Sequence, residues 1–541
     1  MKWLCAWMLL CYSAAFGQGL TGEYYSGSDF NERKFVRVDQ NIDFNWDLAS
    51  PVPGVVSEDF SAVWSGTIKP PSTGTYQFVT NSDDGVRLFV DGKKIIDDWN
   101  YHGPTYNYGR IRLSRGKQYK IELRYFDGAV WASLRLGWSG PGIRGTKSAA
   151  PYCTPATVPP VDPPDDPDPP TPTGNQLVLA HYMPWHRAKG TPPNAGQWGW
   201  HWTMNKYNPD AGQIASHFYP VIGPYDNTDP ALIEYHVLLM KLAGINGVIA
   251  DWYGPDELND YGFINRATLA TFAELKRRGM QFAINYDENV VGKKGPPYYD
   301  PSQKFVNGWR HLQYAQDTWM RDPNHAKIDG RPVLLSFGSE TFSPADWNQL
   351  LPKFSVNPAL FLLHRLKPPA AGSFGWSPMW MNSGGELSPD MLHEYLGRLY
   401  REKGYVMGVI VPGFKDIYAQ AGVHASYGYL DARDGATFRE TLQLAVESKC
   451  PLIQIQTWND FGEGTNIEPT REYGTYYLAQ LQKTFAPQFT PADLELPLAV
   501  FQLRKAEADS AELDRIVGLI HAGKTKEAAT AITQLQLLNS E

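Results

Sequence analysis

The stretch that most limits how this chain folds is "TPATVPPVDPPDDPDPPTPTG", Thr154 to Gly174. Proline locks φ and removes a backbone donor, so this run forms neither a helix nor a central strand. Its prolines favour an extended path of about 3.1 Å per residue, and its aspartates repel one another along it. A semi-rigid spacer over 151–175 therefore divides the 541 residues into parts that each need a core. With 43% hydrophobic residues, 18 Trp and 30 Tyr, both parts can build one and still present aromatic rings to flat ligands such as sugars. A net charge of −8 without a basic stripe argues against a nucleic-acid partner.

The first 17 residues, "MKWLCAWMLLCYSAAFG", place one Lys before a short apolar run and small residues after it. This is the pattern of a secretory signal peptide, too short to span a membrane. The reading predicts a secreted, periplasmic or cell-surface protein with no transmembrane segment after cleavage. Cys153 and Cys450 then remain, as one disulfide or two free thiols.

Residues 18–150 read as an all-β sandwich or barrel. "GTYQFVTNSDDGVRLFVDGKKII" alternates, turns, alternates again and turns at Asp91 and Gly92. No stretch there has helical periodicity. Beyond the spacer, over 176–487, apolar runs alternate with amphipathic helices. The strand candidates are "LVLAHYMPW", "GINGVIADWYG", "QFAINYDEN", "PVLLSFGSE", "ALFLLHR", "WSPMWMN", "YVMGVIVPGFKD" and "PLIQIQTWND". Eight such runs linked by helices predict a (β/α)8 TIM barrel, whose site lies at the C-terminal ends of the strands. Those ends carry His181, Tyr182 and Trp185; Asp251, Trp252 and Tyr253; Tyr286, Asp287 and Glu288; Glu340; His364; Trp380; Asp416; and Trp458, Asn459, Asp460 and Glu463. Any one of them could be a helix cap; acids and aromatics at strand after strand point to a cleft.

In "QTWNDFGEGTNIEPT" the spacing of Asp460 and Glu463 lets both carboxylates face one cleft from a glycine-bearing turn. Two carboxyls, one protonated and one ionised, are the apparatus for cleaving a glycosidic bond. The spacing alone fits a solvated, capping loop equally well.

Resemblance to known families sharpens both parts. "GLTGEYYSG", "WSGTIKPPSTGTYQFVTNSDDGVRLFVDG" and "YKIELRYFDG" resemble a protective-antigen-14 domain. Members are often carbohydrate-binding modules, and in sugar-binding ones paired aspartates hold calcium. Here the matching residues are Asp83 and Asp84, which read otherwise as a hairpin turn. "TWNDFGEGTNIEP", "HYMPW" and "FAINYDEN" resemble glycoside hydrolase families 71 and 99. The first family holds inverting endo-α-1,3-glucanases. The second holds endo-α-1,2-mannosidases and mannanases that retain configuration through an anhydro-sugar. The resemblance implies that Glu463 is the general acid and Asp460 the base. Family 99 usually has Glu at the base position, so the shorter Asp460 favours water activation with inversion. Tyr182, Trp185, Asp251, Trp252, Tyr253, Asp287, Glu288, Trp458 and Asn459 are the expected substrate contacts, and Glu468 the expected structural acid.

The expected function is thus a secreted, endo-acting glycoside hydrolase on α-glucan or α-mannan. No cofactor is needed for catalysis, and calcium is a candidate only in the first domain. The alternative is a non-catalytic glycan-binding or surface adhesion protein that keeps the barrel as scaffold. The tail, 488–541, reads as a helical hairpin. Its "GLIHAGKT" fits the P-loop expression but follows a helical pattern rather than a strand, so no nucleotide is expected.

Overall fold

The computed structural model describes residues 19–538 apart from 48–49, 53–54, 157–168, 173–175, 193–194, 293–298, 339–340, 383 and 507–510. The expected signal peptide, most of the spacer and Glu340 lie outside the described residues. The chain divides into two compact units, Met1–Pro167 with Thr533–Glu541, and Asp168–Ile532.

The first unit is an antiparallel sandwich. One sheet runs in the order Glu32–Asp39, Leu20–Ser26, Phe60–Ile68, Tyr119–Asp127, Val86–Val90, Lys93–Asp98, with Cys153–Pro155 also on Phe60–Ile68. The other runs Ile143–Ser148, Ala132–Gly140, Gly74–Asp83, Thr105–Leu113, with Asp43–Asp47 added to Ala132–Gly140. Period-2 alternation drives this arrangement. In Val86–Val90 every second residue is buried, and Trp64, Leu123, Tyr76 and Trp138 meet in one core drawn from both sheets.

The second unit is a closed barrel of eight parallel strands: Leu177–Tyr182, Gly247–Trp252, Gln281–Asp287, Arg331–Phe337, Ala359–Leu363, Gly372–Phe374, Tyr405–Ile410 and Leu452–Ile455. The first strand pairs with both the second and the eighth, and the third pairs directly with the fourth. Inward residues Leu179, Ile249, Ala283, Leu335, Phe361, Phe374, Met407 and Leu452 fill the interior. The predicted helices form around it at Pro230–Leu242, Tyr261–Arg277, Pro389–Leu399 and Ala436–Glu447. Local chemistry starts two of them: Asp229 and Ser388 accept N-terminal amides, and each is followed by proline.

The sixth strand differs from expectation. "WSPMWMN" is not a strand; the strand is the short Gly372–Phe374 before it, and Met379–Asn382 is a 3-10 helix. A three-residue strand of Gly, Ser and Phe shows no alternation to read. Trp380 accordingly lies on that helix, exposed and 4.1 Å from the His364 ring. The tail also differs, because a helix Leu496–Ala506 precedes the hairpin of Ala511–His521 and Thr525–Leu538. The first of these packs on Pro230–Leu242, where Arg504 forks onto Glu234 at 3.0 and 3.2 Å. The element leading into the P-loop-like segment is the helix Ala511–His521. Cys153 and Cys450 are free thiols, each buried within its own unit. Among the described residues, no helix is long and apolar enough to cross a membrane.

Candidate active site at the barrel mouth

Strand parity decides which residues reach the barrel mouth. In Gly247–Trp252, Ile249 faces the interior, so Asp251 does too and Trp252 faces the helices. The Asp251 carboxylate accepts from Asn285 Nδ2 and from the Tyr253 hydroxyl, both at 2.8 Å. Burial, helped by the neighbouring Asp287 charge, pushes its pKa up to about 8. Tyr253 stacks on Tyr261 with centroids 5.1 Å apart. Asp287 accepts from the Asn289 amide.

After the eighth strand the chain builds a tight platform. Trp458 N donates to His181 O at 2.7 Å, Thr457 N to Thr465 O at 2.8 Å, and Glu468 N to Trp458 O at 2.9 Å. On this platform Asp460 N donates to Thr457 Oγ1 at 2.8 Å, and Glu463 N donates to Asp460 Oδ1 at 3.0 Å. Lys415 N and Ile417 N hold the carbonyls of Glu463 and Gly462 from the loop after the seventh strand. Gly464 sits at φ +65, and a Cβ there would come within 2.5 Å of the Lys415 carbonyl. A side chain at this point would push the two loops apart.

The two carboxyls are unequal. Burial raises Asp460 to about 6, opposed by the Glu463 amide. Glu463 is raised well above the usual range, first by burial and then by the Asp460 charge. Trp376 Nε1 donates to Glu463 Oε2 at 3.4 Å. Trp185 lies flat on His201, with centroids 4.3 Å apart and planes 9° apart, and the His201 charge favours ionised Asp460. Tyr418 is held strongly protonated by burial and by the charges of Glu463 and Asp460. His181 lies beneath, bonded to Gln454 Oε1 at 2.8 Å and lowered by burial to about 4.

Five expected substrate contacts do not line this mouth. Trp252 is fully buried among Tyr286, Tyr314 and Trp319, its indole N–H on Asn265. Tyr182 points outward from its strand, toward Asn227 and His236. The fully buried Trp458 has its ring 5.3 Å from His236. Asn459 is spent on both backbone groups of Met183. Glu288 turns away to Ser336 Oγ and the Phe342 amide. Adjacent residues on a strand face opposite sides, so a reading that collected every residue at a strand end took both layers. Trp185, Asp251, Tyr253 and Asp287 remain at the mouth with Asp460 and Glu463. The reading missed Trp376 and His201. Trp376 was hidden inside the misplaced sixth strand, and His201 sits in "GWHWT", which carries no recognisable spacing.

In the first unit, Asp84 uses both carboxylate oxygens on backbone amides, of His102 and of Gly128, each at 2.8 Å. Asp83 is raised by burial and by Asp84, and Asp127 reaches about 7 for the same reasons. Among the described residues no group of three His, Cys, Asp or Glu side chains is placed to hold a metal ion. Asp83 ends the strand Gly74–Asp83, and Asp84, at φ 61, begins the crossing to Val86–Val90 in the other sheet rather than a hairpin turn.

Comparison with known proteins adds to this geometry. Residues 17–150 match the model of the PA14 domain, and residues 174–357 match that of glycosyl hydrolase family 99. The chain carries a PA14 domain and a family 99 glycosyl hydrolase domain. The glycoprotein endo-alpha-1,2-mannosidase of Mus musculus is 23% identical over 360 residues, covering 60% of this chain and 74% of that protein. The anti-sigma-I factor RsgI3 of Acetivibrio thermocellus is 42% identical over 123 residues, which span 23% of this chain and 19% of that protein. Among solved structures, the GH99 endo-alpha-mannosidase from Bacteroides thetaiotaomicron aligns over 61% of this chain and 98% of its own, at 17% identity and a TM-score of 0.41. The matched part of the family 99 domain ends at residue 357, so Asp460 and Glu463 lie beyond it.

Proposed function

We propose that this protein is an exported, endo-acting hydrolase of α-linked mannan, with Glu463 as general acid and Asp460 as general base. The observation that carries the reading is the unequal pair. Glu463 is the carboxyl that burial and a neighbouring charge keep protonated, and Asp460 is the one that ionises first. Two carboxyls with pKa values pushed apart in one mouth are what glycosidic cleavage needs. The mannosidase relative by sequence supports α-mannan over α-glucan.

In this mechanism Glu463 gives its proton to the leaving glycosidic oxygen. Asp460 removes a proton from the nucleophile as the oxocarbenium-like transition state forms. The Glu463 amide occupies Oδ1 of Asp460, so Oδ2 is the oxygen that acts. The short Asp side chain favours water as nucleophile, and hence inversion. Trp185 offers a flat face for a sugar ring, and Asp251 and Asp287 offer acceptors for its hydroxyls. The sandwich domain keeps the enzyme on its polysaccharide, and the first 17 residues direct its export.

The deciding experiment is product release from α-mannans and α-glucans by wild type, Glu463→Gln and Asp460→Asn, with the first-formed anomer read by NMR. Loss of about 10² to 10⁴ in kcat in both variants is expected. A retained anomer would replace water by the sugar's own 2-hydroxyl as the group Asp460 deprotonates. Glycan binding that survives both changes, with no turnover by wild type, would make the chain a binding protein.

A further inference from the structure

Beneath the catalytic platform lies a buried polar network whose donor directions can be worked out. Asn227 Oδ1 accepts from the His186 amide at 2.7 Å, so its Nδ2 donates to the Tyr182 hydroxyl at 2.9 Å. Tyr182 then sends its own proton to His236 Nδ1, 3.1 Å away. With that proton directed at Nδ1, the hydrogen of His236 falls to Nε2, which lies 3.2 Å from Glu468 Oε1, at ion-pair distance and outside hydrogen-bond geometry. From the other side, Asn459 Oδ1 accepts from the Met183 amide at 2.8 Å, and its Nδ2 donates to the Tyr225 hydroxyl at 3.2 Å. Tyr225 donates to Glu468 Oε2 at 2.6 Å. Both chains run one way: one ends in a hydrogen bond on Glu468 Oε2, and the other brings His236 Nε2 within ion-pair distance of Oε1. His236 and Glu468 are each almost wholly buried. Buried networks of this kind are worth most when every member is satisfied.

We propose that Glu468 and His236 are positioning residues for the hydrolysis, a role that rests on reading Asp460 and Glu463 as the reacting pair. Glu468 acts through its two acceptor oxygens, and His236 through its Nε2–H. Together they fix Asn459, whose amide clamps both backbone groups of Met183, and so set where the next residue, Asp460, sits relative to the first-strand loop. Glu468 touches no substrate.

The test is Glu468→Gln. Glutamine offers one acceptor oxygen where two donors converge. The shorter Tyr225 bond keeps that oxygen, the new NH2 faces His236, and His236 is forced to the Nδ1–H tautomer. The readouts are ring ¹⁵N shifts of His236, assigned with His236→Gln, and the split of kcat from KM. Expected are an Nε2–H tautomer in wild type, an Nδ1–H tautomer in Glu468→Gln, and a kcat lowered about 10- to 100-fold with KM within about threefold. Tyr225→Phe removes one donor with little change of shape and is expected to lower kcat about tenfold, which keeps the test open if Glu468→Gln does not fold. An Nδ1–H tautomer in wild type, or unchanged kcat in both variants, overturns the proposal. If wild type turns over no glycan, the reading of Asp460 and Glu463 fails and the positioning role falls with it, while the ¹⁵N shifts still judge the donor chain.

Discussion

The backbone amide of Glu463 donates to the carboxylate of Asp460 at 3.0 Å, so the main chain of one carboxyl residue stabilises the charge of the other. Asp460 thereby ionises at about 6, below Glu463. On the proposed roles, activity requires ionised Asp460 with protonated Glu463. The profile of kcat/KM against pH should rise through about 6 and fall only at the higher pKa of Glu463. A profile that falls through pH 6 would reverse the two roles.

The same burial costs stability. Asp460 is raised to about 6 in the folded chain, above the ordinary carboxylate value of about 4. Between those values the folded state binds more protons than the unfolded one, so stability falls as pH rises through the window. Asp460→Asn removes that loss. It should melt above wild type at about pH 8, by on the order of 2 kcal/mol, and together with it at about pH 4. Calorimetry at both values checks this.

Trp376 stabilises the charged form of Glu463 through its indole N–H, 3.4 Å from Oε2. Trp376→Phe removes the donor and keeps an aromatic wall. The alkaline limb of the pH–rate profile should move upward by a few tenths of a unit, roughly what a long hydrogen bond is worth. A downward movement would show that Trp376 acts on Glu463 by something other than this bond.

In the PA14 domain, Asp84 adopts φ 61 and caps two amides. Asp84→Ala strands both and should cost about 2–4 kcal/mol, seen as an earlier melting of that domain. Asp84→Asn, with one acceptor oxygen left, should cost about half. Melts with EDTA and with added calcium separate this capping role from ion binding, since capping alone predicts no movement of the midpoint with either.

Much of this architecture was legible because its signals are local. The alternation in "VRLFV" and the capped starts at Asp229 and Ser388 each state their structure within a few residues. That Asp460 and Glu463 share one tight turn was legible for the same reason. The sixth strand was not, because Gly372–Phe374 is defined by its neighbours on either side rather than by pattern. The two layers at the mouth were separable in principle: once Ile249 is placed inside, Asp251 follows it and Trp252 cannot. The pairings of Trp376 with Glu463 and of His236 with Glu468 join residues far apart in the chain, and no periodicity records them.

Helix Pro230–Leu242 is made early in synthesis, yet the helix that covers it, Leu496–Ala506, belongs to the tail, and Arg504 reaches Glu234 across 270 residues. The first strand likewise waits for the eighth before the ring of hydrogen bonds can close. An N-terminal portion emerging alone therefore shows an open sheet edge and the bare apolar flank of that helix. Synthesis of this chain has to keep a half-finished barrel from pairing with others until its last tenth arrives, and a truncation that spares every residue at the mouth but removes the tail should fail at this step, before chemistry.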